Sequence, residues 1–192
     1  MKRLLPRYNF LERSIHWLSA FSFLYAAFTG LALWSHKLYW LADVFGGGVT
    51  VRWAHPWSGV VFALVLGFMF RNWAAQMRLD AEDRLWLAKS HQYAMNQEEG
   101  LPLPGRFNAG QKMLFWLQSV AAIALLVTGL VLWWPEIMPR WARLAAILIH
   151  PAAALGAIAL IILHVYMGSA AVPGAFRAMI RGEVSEGWAK AH

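Results

Sequence analysis

Four long stretches of the chain carry no Asp, Glu, Lys or Arg: Ser14–Trp34, Trp53–Phe70, Met113–Pro135 and Leu144–Phe176. A helix crosses a hydrocarbon core of about 30 Å with about 17–25 apolar residues. In lipid the backbone must satisfy its own polar groups, which a helix does within one segment. The first and third stretches, 21 and 23 residues, fit one crossing each. The second, 18 residues, is expected to extend toward Trp73, and the fourth, 33 residues, to tilt or emerge on one side. The predicted fold is all-α, an integral membrane four-helix bundle and a single domain over 1–192. Its helices are expected over 14–34, 53–73, 113–135 and 144–172, with a loop over 74–112. Composition agrees: 59% apolar and 14% charged, against roughly 45–50% and about 25% in soluble domains.

Four crossings put both termini on one side. The N-terminal segment, the 74–112 loop with Arg71, and the C-terminal tail carry 13 of the 17 Lys and Arg, while Lys37, Arg52, Arg140 and Arg143 face the other way. The positive-inside rule makes the termini and the middle loop cytoplasmic, in a multi-pass protein of the bacterial inner membrane. The net charge of +7 therefore reads as membrane lipid contact and topology, not nucleic-acid binding. Trp34, Tyr39, Trp40, Trp53, Trp133, Trp134 and Trp141 flank the stretches as an interfacial belt. The basic start and first apolar stretch are also compared with a cleaved signal peptide. A core of 21 uncharged residues exceeds an h-region of about 7–15, so retention is expected.

Within the loop, Asp80–Gln97 reads as a helix N-capped by Asp80, broken by Gly100, Pro102, Pro104 and Gly105. Gly46–Gly48 mark a turn on the opposite side, and no long-period repeat is evident. Cysteine is absent, which excludes disulfides, cysteine-held iron–sulfur clusters and C-x-x-C-H haem attachment.

Ionisable residues inside a membrane are costly and call for a reason. The four stretches contain His16, His55, His150 and His164. A lone histidine there is ordinarily an interfacial or cavity-lining hydrogen bonder. The spacing of the four points elsewhere. His150 and His164 are 14 residues apart, which is about 21 Å of rise and about 40° short of four full turns. One helix thus offers two imidazoles on one face at two depths. Topology supplies each partner: His16 with His164 on the inner side, His55 with His150 on the outer. Two bis-imidazole pairs from facing helices suit two b-type haems in an electron-transfer protein. A structural zinc site would want its four ligands close together.

Ala152, Ala153, Ala154, Gly156 and Ala157 leave room for a macrocycle or for close helix packing. Pro56 and Pro151 each follow a candidate ligand; Pro56 is compatible with a helix start and Pro151 with a bend. Arg13 on the inner side and Arg52 on the outer are candidates for haem propionates, with headgroup anchoring as the equal alternative. His36, His91 and His192 read as solvated.

The run Arg106–Lys112 closes the loop and opens the third helix. Asn108, backbone near Gly110, and Gln111 are candidate hydrogen-bond partners for quinone carbonyls, although Asn-Ala-Gly is also ordinary helix-start chemistry.

Taken together, Glu12-Arg13 with His16-Trp17, Trp53-Ala54-His55-Pro56 with Ser58-Gly59, the Phe107–Lys112 run, and His150-Pro151 with His164 resemble the cytochrome b556, or gamma, subunit family of membrane-bound formate dehydrogenases over nearly the whole chain. The resemblance implies a periplasmic-side haem on His55 and His150 and a cytoplasmic-side haem on His16 and His164. It implies a quinone site (menaquinone or ubiquinone) at His164, Asn108 and Gly110. It also implies two partners, an iron–sulfur beta subunit and a catalytic alpha subunit holding molybdenum or tungsten. Formate chemistry would belong to that partner. The expected role is to anchor the complex and pass electrons inward to quinone. The alternatives are the cytochrome b anchor of a hydrogenase or thiosulfate reductase, and, more remotely, a haem-free anchor or small transporter.

Overall fold

The computed structural model describes residues 4–94 and 105–191. The order is β1 (Leu4–Pro6), α1 (Phe10–Trp34), a 3-10 turn (His36–Leu38), α2 (Trp40–Val44), α3 (Gly47–Trp73), α4 (Ala81–Ala88), α5 (Ser90–Ala94), α6 (Ala109–Trp133), α7 (Arg140–Tyr166), a π turn (Met167–Ala171), α8 (Ala175–Arg181), β2 (Glu183–Ser185) and α9 (Glu186–Ala191). Among the described residues, four helices are long and apolar enough to cross a membrane: α1, α3, α6, and α7 with its π turn. They present large apolar side chains outward, such as Leu64, Val120, Leu148 and Ile162. Lipid, unlike water, accepts such a surface. The chain is a membrane protein built almost wholly of helix.

The long helices are longer at their N-terminal ends than their uncharged stretches. α1 starts at Phe10 because Asn9 caps it: Asn9 Oδ1 accepts from the Glu12 N–H at 2.8 Å, and Glu12 Oε2 accepts from the Asn9 N–H at 2.9 Å. This is a capping box. The absence of charge marks hydrocarbon, not helix, so Glu12 and Arg13 are helical outside the stretch. α3 starts at Gly47, where Gly46 and Gly47 both have φ +89° and turn the chain. Such φ values favour glycine. Pro56 therefore lies inside α3 and does not open it, a correction to that reading.

The middle segment also differs from expectation. Asp80 caps as predicted, in a reciprocal box with Asp83. The predicted single helix instead breaks at Lys89, whose N–H closes on the Trp86 carbonyl and tightens the last turn of α4 before α5 begins. Positions Met95–Gln97, with Gly100, Pro102 and Pro104, lie outside the described residues, as does His192. The all-α expectation missed one small antiparallel pair, β1 with β2, in which Leu5 faces Val184. Strands of three residues are too short for period-two alternation to signal.

The chain divides into two compact units. One comprises the segment up to Ser14, Arg71–Gln118, and the chain from Leu160; the other comprises Ile15–Phe70 and Ser119–Ala159. In the first unit, the N-terminal, middle and C-terminal segments are joined directly. β1 pairs with β2. Arg7 donates to the Arg106 carbonyl, and Arg106 pairs with Glu12 and donates to Gln76. In the second, Ala42 of α2 is fully buried with Ala32 and Val51.

A candidate bis-histidine centre on a repeated helix pair

The second unit brings His55 of α3 and His150 of α7 together. Their ring centroids are 6.3 Å apart and their planes are inclined at 77°. A metal–imidazole bond is about 2.0–2.1 Å, so two rings on opposite sides of one metal, each with its centroid about 1.1–1.2 Å behind the ligating nitrogen, stand about 6.2–6.6 Å apart. The 6.3 Å centroid separation falls within that range.

Each ring is held from a neighbouring helix in the same way. His55 Nδ1 lies 3.0 Å from Thr29 Oγ1 of α1, and His150 Nδ1 lies 2.9 Å from Thr128 Oγ1 of α6. Each threonine hydroxyl donates to a carbonyl four residues back, Tyr25 and Ala124, both at 2.6 Å. Its one proton is thereby committed, and toward the imidazole it accepts. With each threonine proton on its own helix, a proton on Nδ1 donates to the threonine oxygen and leaves Nε2 as a lone pair, the arrangement metal-binding histidines use. The next residue in each case is glycine. A Cβ on Gly30 would lie 3.0 Å from His55 Cε1, and one on Gly129 would lie 3.4 Å from His150 Cε1. A methyl at Gly30 would press on the His55 ring, and one at Gly129 would come into contact with the His150 ring.

Thr29, Gly30, Thr128 and Gly129 were not among the residues singled out from sequence. Their signal is an internal repeat, which corrects the reading that none was evident. Residues 7–34 and 106–133 align at a constant offset of 99, and Arg, Asn, Trp, Leu, Thr, Gly, Leu, Leu and Trp recur at matched positions from Arg7/Arg106 to Trp34/Trp133. Both copies form 25-residue helices. His55-Pro56 and His150-Pro151 then recur in the following helices, each proline inside its helix. Neither proline can donate to the carbonyl four residues earlier.

The other candidates stand as follows. His16 lies on α1 in the second unit and His164 on α7 in the first, just before the π turn. Both are half-buried. Such turns concentrate at functional sites. In the first unit, Asn108 caps α6: its Oδ1 accepts from the Gln111 N–H at 2.9 Å, and Gln111 Oε1 accepts from the Asn108 N–H at 3.0 Å. The box uses the oxygens of both amides and neither NH2 group, so donors remain on each. Gly110 lies against the Trp86 indole. Next to them, Lys112 donates to Asp83 at 2.6 Å and to Asp80 at 3.4 Å. The Asp83 N–H, and then the Lys112 cation, hold the Asp80 carboxyl below the usual carboxylate range. Arg13 donates to the carbonyls of Ile180 at 2.5 Å and Asn9 at 3.4 Å, fastening the C-terminal segment. Arg52 is exposed, three positions before His55, and His36 and His91 are exposed.

A family model for prokaryotic cytochrome b561 matches residues 7–182. The chain is 33% identical over 193 residues to the cytochrome b556(Fdn) subunit of the nitrate-inducible formate dehydrogenase of Escherichia coli, covering 99% of this chain and 88% of that protein. It is 34% identical over 190 residues to the E. coli formate dehydrogenase cytochrome b556(fdo) subunit, at 97% and 88% coverage. It is 29% identical over 190 residues to the formate dehydrogenase cytochrome b556 subunit of Haemophilus influenzae, at 97% and 79%.

Proposed function

Because this chain belongs to the prokaryotic cytochrome b561 family, we propose that it is the cytochrome b membrane subunit of a formate dehydrogenase and carries electrons from a periplasmic iron–sulfur partner to quinone on the cytoplasmic side. Two haems b are the cofactors, and, when bound, they supply one-electron chemistry within the membrane. His55 and His150 hold one iron and His16 and His164 the other. The observation that carries this reading is the His55–His150 pair, 6.3 Å between ring centroids with each Nδ1 held by a threonine. The 14-residue spacing of His150 and His164 along α7 supports the second pair. The basic, interlinked first unit supports a cytoplasmic location for both termini and the middle loop. Quinone is assigned to His164, Asn108, Gly110 and Gln111, with the NH2 groups of the two amides as donors to its carbonyls. Arg52 is assigned to propionates on the outer side. Arg13 can serve on the inner side only in competition with Ile180 and Asn9. The partners are the iron–sulfur beta subunit and the molybdenum- or tungsten-containing alpha subunit. Formate is oxidised there and not in this chain.

The test is a reduced-minus-oxidised absorption spectrum of the assembled complex with haem counted per chain. A b-type band, two haems per chain and reduction of both by formate are expected. No b-type band would overturn the haem reading. Reduction by hydrogen but not by formate would reassign the partner.

A further inference from the structure

We propose that Thr29 and Thr128 are positioning residues that lock the His55 and His150 imidazoles nearly perpendicular to one another, giving the iron between them a distinctive electronic signature. The inference rests on the haem reading of this site and adds the orientation of its ligands.

A ring bound through Nε2 alone turns freely about the metal–nitrogen bond. A second hydrogen bond at Nδ1 removes that freedom, because the acceptor must lie close to the ring plane. Thr29 and Thr128 supply that acceptor from two different helices, α1 and α6, and each hydroxyl is itself fixed by a 2.6 Å bond to its own helix. Gly30 and Gly129 let each ring rest against helix backbone, where a Cβ would meet Cε1 at 3.0 and 3.4 Å. The result is the observed 77° between planes. The repeat explains why both sides are built alike: the Thr-Gly step occurs once per copy, 99 positions apart.

The consequence follows from ligand-field symmetry. Parallel imidazoles donate π density along one direction and separate the two iron d orbitals that lie out of the macrocycle plane. Perpendicular imidazoles donate along two directions and leave those orbitals nearly equal in energy. A ferric low-spin iron of the second kind gives an electron paramagnetic resonance signal with one dominant low-field feature instead of a resolved rhombic triplet. The hydrogen bond also gives each ring more anionic character, which favours ferric over ferrous iron and lowers the reduction potential.

The experiment uses the purified, oxidised complex. The outer signal is identified as the one that survives in His16→Ala and disappears in His55→Ala. It is expected to be of the single low-field type. Thr29→Val keeps the shape but removes the acceptor. That signal should broaden or move toward the rhombic form, with a rise in the potential of the same haem only. Thr29→Ser restores the hydroxyl and should restore both readouts, and Thr128→Val and Thr128→Ser should repeat the pattern. A rhombic outer signal in the unmodified complex overturns the proposal. So does a Thr29→Val complex whose signal and potential are unchanged. If the valine variants do not assemble, the unmodified spectrum together with the serine variants decides. Absence of any b-type haem would instead overturn the functional reading on which this one rests.

Discussion

The hairpin of α1 and α3 and the hairpin of α6 and α7 are two versions of one design, and their histidines correspond at one end only. At the His55 and His150 end the copies match residue for residue in function: Thr29 with Thr128, Gly30 with Gly129, His-Pro with His-Pro. At the other end the polar scaffold matches while the candidate ligands do not. Both copies open with an asparagine capping box, and Arg13 and Lys112 hold equivalent positions. His16, however, corresponds to Phe115, and aligning the two His-Pro steps sets His164 opposite Met69. On the proposed haem assignment, the first end takes one ligand from corresponding places in each copy. The second takes its two from non-corresponding places, where the other copy has Phe115 and Met69. The proposed quinone site belongs to that second end.

The largest expected effect tests that division. His55→Ala and His150→Ala should each lose the same haem, halving the b-type absorbance of the complex. His16→Ala and His164→Ala should each lose the other. If His55→Ala and His164→Ala selectively deplete one and the same haem, the two ends are not separate sites and the comparison fails.

The histidines stood out in the sequence as candidates because an ionisable group in lipid carries a cost that demands a cause, and the structure brings His55 and His150 together. The threonines did not stand out. A threonine in an apolar helix ordinarily satisfies itself on the carbonyl four residues back, and Thr29 and Thr128 do so too. Their second role leaves no trace in hydropathy and shows only when the two copies are aligned. The six-residue underestimate at the start of α3 has a similar origin. Arg52 ended the uncharged stretch but not the helix, which runs back to the glycine turn. Asn108 was legible as a candidate. That its oxygen is engaged in a cap while its NH2 is not required the structure.

The next effects concern how each copy is fastened. Lys112 is 10% exposed and donates to Asp83, which is 7% exposed. Lys112→Ala leaves that carboxylate without its charged partner, at a cost of about 1–3 kcal/mol. Its counterpart Arg13 bonds carbonyls, so Arg13→Ala should cost less in the same unfolding assay. Equal losses would mean that the Lys112–Asp83 pair contributes nothing special. At the other end, Gly30→Ala and Gly129→Ala insert a methyl against a ligand ring, an overpacking worth about 1–3 kcal/mol. Gly30→Ala should be the more damaging, given 3.0 Å against 3.4 Å. Both should lower occupancy of the His55/His150 haem alone. Loss of the other haem in either variant would break the assignment of the Thr-Gly seats to one end.

The smallest stability effect makes the sharpest distinction between the two copies. Asn9 and Asn108 occupy equivalent positions and make equivalent capping boxes. Replacing either by alanine removes one cap, which costs about 0.5–2 kcal/mol, so the two variants should be destabilised alike. Their effects on turnover should differ. If Asn108 only caps, Asn9→Ala and Asn108→Ala will form quinol at the same rate. If its NH2 also donates to a quinone carbonyl, Asn108→Ala alone will slow quinol formation, with both haems still present and reducible. Asn108→Asp refines the result. It keeps the oxygen that caps the helix and removes the amide donor, so it should preserve stability and still slow turnover. Full turnover in Asn108→Asp would return the loop to pure helix-start chemistry and leave the quinone site to be sought around His164.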